Sequence, residues 1–379
     1  MKKIISFILA LLILSAPLYA HADNIDITAH GAILTDAVSG EVIFEKNADE
    51  RMYPASMTKM MVLLICMEKI STGEMGYNDK VTITKEATSL GGTQLFLEEG
   101  ETRTIEELLY GIAVESANDA ATAVGVHISG NVENFAALMN EKAANLGMDG
   151  TNFVNACGLH DEEHYTTCRD MAVLSGELLK YDDIFTYIST WTKDIYIGRN
   201  NDRLRSLANT NKLLSRYSHI DGIKTGYTSR SRHCMSATGK IGDTRLIAVV
   251  MASENSEKRF DDAMTLLDYG FATYEGTYAV RIGKSYGNID IINGESPSAS
   301  LTAKEDFYTF GPKSDPALSV KTLLSQEAVY APVKAGDILG YAEVYDGEKL
   351  LGKVELTVKE DIPKCSLGEY LKRVKVVVF

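Results

Sequence analysis

The 379-residue chain has only five cysteines, Cys66, Cys157, Cys168, Cys234 and Cys365, an odd number with no C-x-x-C pair. That excludes a zinc ribbon and a complete disulfide framework. Cys66 lies in an apolar helical stretch and Cys234 in an apparent strand, so both read as small buried hydrophobes, while the spacing of Cys157 and Cys168 leaves their pairing open. Basic charge is also short: 38 Lys+Arg stand against 52 Asp+Glu, a net charge of −14 with no long basic run. This argues against a nucleic-acid partner, which needs a cationic face for phosphate. Long apolar runs are few, and the first, Ile4 to Leu14, is shorter than the ~20 residues that span a bilayer. Lys2 and Lys3 precede it and Ala20-His21-Ala22 follow, so residues 1–22 read as a signal peptide cleaved after Ala22, and the protein is expected to be exported to the cell envelope. With 45% hydrophobic and 24% charged residues the remainder has ample material for a core.

The patterning alternates between periods. Short alternating runs at Gly31 to Thr35 and Glu41 to Glu45 flank Asp36-Ala-Val-Ser-Gly40, which reads as a hairpin. Apolar residues from Met57 to Ile70 predict a largely buried helix after Pro54. Thr104-Ile-Glu-Glu107 is a capping-box pattern that opens a helix running to about Glu115. Helical periodicity recurs at Val132 to Leu146, Asp170 to Tyr181 and Glu257 to Tyr274, and the runs before Gly239 and after Asp243 predict another hairpin. The fold class is therefore α/β of the α+β type. Beyond Glu275 the texture changes: Pro297, Pro312, Pro316, Pro332 and Pro363 all fall there, with short alternating runs at Tyr341 to Tyr345 and Lys353 to Val358 around an Asp346-Gly347 turn. The expected organisation is a leader (1–22), a first domain (23–275), a small β domain (276–362) and a tail (363–379). Leu367, Tyr370, Leu371, Val374 and Val378 in the tail have amphipathic helical spacing, although Val376-Val-Val378 favours a strand.

Three short motifs can carry chemistry. In Ser56-Met-Thr-Lys59, positions three apart on a helix face one point, so a hydroxyl meets an amine. An uncharged lysine can take the proton of a serine if burial or a nearby cation lowers its pKa, and free N–H groups at a helix start can stabilise an oxyanion. Ser116-Ala-Asn118 sits in a break between helices, where a hydroxyl and an amide can project into a cleft. Lys224-Thr-Gly226 is placed at the start of an edge strand, where an amine, a hydroxyl and a glycine backbone can line a groove. Each alone has a plainer reading: an N-cap with a solvated lysine, a helix end with an Asn cap, and a turn before a hairpin.

Together, in this order and roughly 60 and then about 110 residues apart, S-x-x-K, S-x-N and K-T-G form the motif set of penicillin-binding proteins and class A β-lactamases. The chain resembles the low-molecular-mass penicillin-binding proteins, serine-type D-alanyl-D-alanine carboxypeptidases of the bacterial cell wall. Phe44 to Glu50, Pro54 to Lys59, Glu107 to Gly111, Asn118 to Ala120, His164 to Thr167 and Asp221 to Thr228 are also similar to that family. The resemblance implies a β-lactamase/transpeptidase-like domain, an antiparallel sheet flanked by helices, followed by a small β-sandwich-like module. It implies that Ser56 is acylated by stem peptides of peptidoglycan ending in D-Ala-D-Ala, that Lys59 is its general base, and that Ser116 relays the proton to the departing D-Ala. It further implies Lys224, Thr225 and Arg259 at the substrate carboxylate, with Lys224 also helping to keep Lys59 neutral. Asn118 would hold the peptide amide, and the N–H groups of Ser56 and Tyr227 would form the oxyanion hole. β-Lactams would be inhibitors, no metal or organic cofactor is implied, and the tail would dock on the outer face of the cytoplasmic membrane.

Some residues depart from the family pattern: Ala117 replaces a usual Gly, His233 stands where an aromatic tyrosine is common, and Cys157 and Cys168 lie where cysteine is unusual. Three rival readings are weighed. His160-Asp-Glu-Glu-His164 matches a zinc-peptidase pattern, yet Gly158 and the absence of apolar periodicity oppose the helix that ligation needs. A β-lactamase would need a water-positioning E-x-x-x-N loop, and none is clear between Asn118 and Lys224. A penicillin sensor without turnover would not need all of these catalytic side chains.

Overall fold

The computed structural model describes residues 25–313 and 318–368. The expected leader and the tail positions from Tyr370 onward lie outside the described residues. A five-stranded antiparallel sheet forms the centre, from β1 (Gly31–Asp36), β2 (Val42–Lys46), β3 (Ile220–Thr228), β4 (Arg232–Ile241) and β5 (Thr244–Ser253), in the spatial order β2-β1-β5-β4-β3. Among the described residues five long helices accompany it: α1 (Lys59–Ser71), α2 (Asn118–Ser129), α3 (Val132–Asn145), α4 (Cys168–Leu178) and α5 (Ser256–Thr273).

Successive side chains of a strand point to opposite faces, and here both faces are covered. Leu246, Ala248 and Val250 of β5 pack with Phe260 and Leu267 of α5, while Ile247, Val249 and Met251 join the core around α1. Helix α1 is buried through its first nine residues, from Lys59 to Met67, as expected of a helix that is apolar all round. The capping box exists as read: Glu107 N–H donates to Thr104 Oγ1 and Thr104 N–H donates to Glu107 Oε2.

Several boundaries differ from the sequence reading. The helix expected to start at Met57 begins as a tight 3₁₀ turn over Ala55–Thr58, and the α-helix starts only at Lys59. The helix from Ile105 leaves α geometry after Tyr110 and finishes as a π-helical turn over Gly111–Glu115, a widening that is rare and concentrated at functional sites. Lys224 sits in the middle of the edge strand rather than at its start. A hairpin of Thr192–Ile197 and Arg203–Ala208 was not anticipated, since its strands are polar and only Ile195, Ile197 and Leu207 are buried from it.

Beyond Thr273, strands Ser319–Leu324, Gly340–Asp346, Lys349–Thr357, Ser298–Ala303, Ser285–Ile292 and Ala328–Tyr330 form a six-stranded sheet in that order, around a core of its own that includes Leu301, Val344 and Leu356. The Tyr308 hydroxyl reaches across to Asp36 Oδ2 at 2.8 Å.

All five cysteines are free, and four of them are buried. Burial pushes the Cys66, Cys157, Cys168 and Cys234 thiols up, which suppresses the reactive thiolate. Titration of the native protein with an aromatic disulfide reagent is therefore expected to modify Cys365 rapidly and the other four only after guanidinium is added; an early second equivalent would contradict the packing.

Candidate active site

Ser56 lies on the 3₁₀ turn because Pro54 starts it and Met57 N–H closes back on the Pro54 carbonyl at 3.2 Å. Lys59 follows as the first residue of α1 and is 0% exposed. Its Nζ donates to Ser56 Oγ at 3.1 Å, to Asn118 Oδ1 at 2.7 Å and to the Cys157 carbonyl at 2.8 Å. Burial lowers the Lys59 amine to about 8, against the opposing charges of Cys157 and Asp119. At pH 7 roughly one amine in ten is then uncharged, compared with about one in three thousand at an ordinary lysine pKa. The base form is thus available near neutrality.

The π-helical turn delivers the second motif. Ser116 ends it at φ 68°, ψ 34°, a left-handed conformation that turns the chain out of the helix, and its buried Oγ has no hydrogen-bond partner among the described residues. Ala117 has φ −65°, so the position does not require the glycine usual there. Asn118 opens α2. Its side-chain oxygen is held by Lys59 and its Nδ2 donates to the Gly91 carbonyl at 2.7 Å, which leaves one amide hydrogen for a ligand. Asp119 beside it accepts from Leu95 N–H at 3.0 Å and from Leu97 N–H at 3.1 Å, fixing the segment that borders the motif.

The third motif comes from the edge strand β3. Gly226 passes so close to the turn bearing Ser56 that a Cβ there would sit 2.7 Å from the Pro54 carbonyl. Lys224 is buried and donates to the Thr225 carbonyl at 3.2 Å; burial pushes its amine far down, helped by the charges of Lys59 and Arg259. Thr225 Oγ1 donates to Thr210 Oγ1 at 2.7 Å. Arg259, on the first turn of α5, donates to the Gly226 carbonyl at 3.1 Å while its Nε stays buried and unpartnered. Tyr227 turns its ring outward, stacked on His233 at 4.5 Å. That contact gives His233 a packing role, and burial lowers its pKa, so it is neutral near pH 7.

Every residue singled out from the motifs thus lies on one of the elements around Ser56. The histidines of the zinc-like pattern do not share a helix. His160 packs its ring edge against Tyr53, and both nitrogens of His164 are taken: Nδ1 accepts from Val154 N–H at 3.0 Å, so Nε2 carries the hydrogen and donates to Thr58 Oγ1 at 2.8 Å. Among the described residues no three His, Cys, Asp or Glu side chains are grouped to hold a metal. Sequence reading missed the Cys157 carbonyl, which no side chain announces, and Thr210, whose only cue is its place between Asn209 and Asn211.

Comparison with known proteins places the chain in a family. The family profile described as D-alanyl-D-alanine carboxypeptidase matches residues 18–255, and that of the penicillin-binding protein 5 C-terminal domain matches residues 274–364. The D-alanyl-D-alanine carboxypeptidase DacF of Bacillus subtilis is 36% identical over 346 residues, covering 91% of this chain and 88% of that protein. Penicillin-binding protein 5 from Haemophilus influenzae superposes with a TM-score of 0.68 at 29% identity, over 89% of this chain and 98% of that one. The ampicillin-bound penicillin-binding protein D2 from Listeria monocytogenes matches at TM-score 0.59 and 30% identity, over 65% of this chain and 99% of that one.

The His164 clamp has a pH signature. Burial lowers His164 to about 4 from 6.5, so between those values the unfolded chain binds a proton that the folded protein does not. The contribution of His164 to stability is complete above pH 6.5 and is expected to fall by about 3 kcal/mol as pH drops towards 4. Chemical denaturation at pH 7 and pH 4.5 is expected to show this loss, and His164→Gln to reduce the pH-dependent part; an equal loss in that variant would assign it to other groups.

Proposed function

The chain belongs to the D-alanyl-D-alanine carboxypeptidase family, and from that premise we propose the role of each side chain in releasing the terminal D-Ala of peptidoglycan stem peptides. One observation carries the reading: the buried Lys59 amine is bonded at once to Ser56, Asn118 and the Cys157 carbonyl. A neutral amine keeps two hydrogens. With Asn118 and Cys157 taking those, the lone pair faces Ser56 Oγ, the orientation a general base needs.

Ser56 Oγ attacks the carbonyl carbon of the penultimate D-Ala as Lys59 takes its proton. The oxyanion is received by the N–H groups of Ser56 and Tyr227, a contribution on the order of 3 kcal/mol per donor. Collapse breaks the peptide bond, and the proton passes from Lys59 through the Ser116 hydroxyl to the departing amine. Water, deprotonated by Lys59, then attacks the ester carbonyl, the bond to Ser56 Oγ breaks to release the shortened peptide as its carboxylic acid, and Lys59 returns the proton to Ser56 Oγ. Thr225, Lys224 and Arg259 receive the terminal carboxylate, and the remaining Asn118 hydrogen holds the peptide carbonyl oxygen. A β-lactam enters by the same attack, but its amine stays tethered to the acyl group, and between Asn118 and Lys224 the E-x-x-x-N spacing falls only at Glu141 to Asn145, inside helix α3, so no loop of that pattern is there to place a fast hydrolytic water. The penicilloyl-enzyme is therefore long-lived.

Three coarser features complete the proposal. Residues 1–22 direct export and are removed after Ala22, residues 23–275 and 276–362 form separate folding units, and the tail from 363 rests on the outer face of the cytoplasmic membrane. Among the described residues no helix is long and apolar enough to cross a membrane.

Incubation with penicillin is expected to leave a stable adduct on Ser56 by peptide mass mapping, with an acylation rate that rises with pH to a midpoint near 8 as Lys59 loses its proton. Ser56→Ala should abolish both the adduct and D-Ala release from a diacetyl-Lys-D-Ala-D-Ala peptide. Activity surviving in that variant would remove Ser56 from its role. Mass measurement of protein secreted from a bacterial host is expected to give an amino terminus at Asp23, and an intact leader would overturn the cleavage assignment.

A further inference from the structure

The Cys157 carbonyl is one of the two groups that aim Lys59, and it belongs to a turn that a single side chain closes. Asn155 Oδ1 accepts three backbone hydrogens, from Cys157 N at 3.0 Å, Gly158 N at 2.8 Å and Leu159 N at 3.1 Å, and its Nδ2 returns a bond to the Leu159 carbonyl at 3.0 Å. With the N–H groups gathered on one side by that oxygen, the Cys157 carbonyl is left to meet Lys59. We propose that Asn155 is a positioning residue of this enzyme, one that orients the Lys59 amine towards Ser56 by holding the Cys157 carbonyl against it.

The surroundings make this turn a rigid gauge. Gly158 adopts φ +79° and lies so close to the nucleophile turn that a Cβ would fall 1.7 Å from the Ala55 carbonyl. Just before Asn155, the backbone of Phe153 is gripped twice by Asn140, through Phe153 N to Oδ1 at 2.7 Å and Nδ2 to the Phe153 carbonyl at 2.8 Å. The Val154 N–H is held by His164, which also holds Thr58 of the nucleophile turn. The turn therefore has fixed ends and a fixed contact with the segment bearing Ser56, and Asn155 sets what remains, the direction of the carbonyl between them. An oxygen one carbon from Cβ is compact enough to collect three successive N–H groups; alanine would leave all three without a partner.

The proposal rests on Lys59 as the base, whose charged or titratable neighbours are Asp119 from α2, Cys157 and His164 from the loop, and Lys224 from β3. Its test separates binding from chemistry in the reaction with penicillin, using the full-length mature protein. Asn155→Ala is expected to lower the limiting acylation rate above pH 8 by about tenfold or more, while the dissociation constant of the non-covalent complex stays within about twofold of the parent. Asn155→Asp keeps the three-way acceptor and is expected to restore the limiting rate to within about threefold. A general structural weakening would lower thermal stability in both variants without this split or this rescue. If Asn155→Ala does not fold, Asn155→Ser, whose oxygen is too short to span the three N–H groups, replaces it and is expected to be slow beside Asn155→Asp. A limiting rate unchanged in Asn155→Ala or Asn155→Ser, or an aspartate variant as slow as they are, overturns the proposal. Lys59→Met is the reference: acylation surviving there defeats the base assignment itself, whereas loss there with parental rates in the Asn155 variants defeats only this inference.

Discussion

A single buried nitrogen organises the catalytic half of this molecule. Lys59 Nζ needs three acceptors when charged and must expose a lone pair to Ser56 when neutral, and the three acceptors come from three separate stretches of chain. Ser56 is local, Asn118 is supplied where a π-helical turn gives way to α2, and Cys157 comes from a loop after α3. Placing an amine in a closed interior costs several kcal/mol unless its hydrogens are satisfied. The arrangement keeps the charged form tolerable while leaving its pKa near 8, low enough for base chemistry at neutral pH. A lysine on an exposed first helical turn would be charged and freely rotating, and neither property suits a base.

The same interior carries an excess of positive charge. Lys59, Lys224 and Arg259 approach one another with Asp119 as the nearby carboxylate, and Lys224 is pushed well down by burial and by the other two cations. Burial is the principal cause of the lowering at both amines, and at Lys224 the charges of Lys59 and Arg259 add to it. An entering carboxylate changes this balance. In the role proposed for Lys224, that anion would stabilise its protonated form, so binding a C-terminal anion and charging Lys224 would be thermodynamically linked. The proposed preference for a free carboxylate would then draw on a cleft in which the cationic side chains outnumber the one nearby carboxylate, Asp119, in addition to any direct hydrogen bond.

What was legible in the sequence follows from where the information resides. Ser56, Lys59, Ser116, Asn118, Lys224 and Thr225 are readable because their chemistry belongs to side chains at fixed short spacings. The principal elements are readable because both faces of the sheet and all sides of α1 are apolar, which leaves long periodic signals. The 3₁₀ start before Lys59 and the π-helical finish before Ser116 were not, because both are backbone adjustments made to bring distant side chains together. The polar hairpin at 192–208 escaped for a related reason: it is held by arginines, with Arg199 donating to Glu99 O, Arg203 to Phe96 O and Arg205 to Gln94 O, and buries little of its own.

The closeness of these pieces explains why a small number of residues permit no side chain. The turn bearing Ser56 is touched from one side by Gly226 of the edge strand and from the other by Gly158 of the loop, each at a distance that a Cβ would violate against the Pro54 or Ala55 carbonyl. The nucleophile is thus seated between two lengths of bare backbone. One of them belongs to the strand whose Tyr227 N–H is proposed for the oxyanion, and the other adjoins the Cys157 carbonyl that is bonded to Lys59. Contact at this range transmits any shift of either element directly to Ser56, because packed interiors have little compliance. The precision required of the Ser56 and Lys59 pair is consequently distributed over backbone that carries no reactive group, and His164, gripping both Thr58 and Val154, is the cross-tie that keeps the loop from moving independently of the nucleophile.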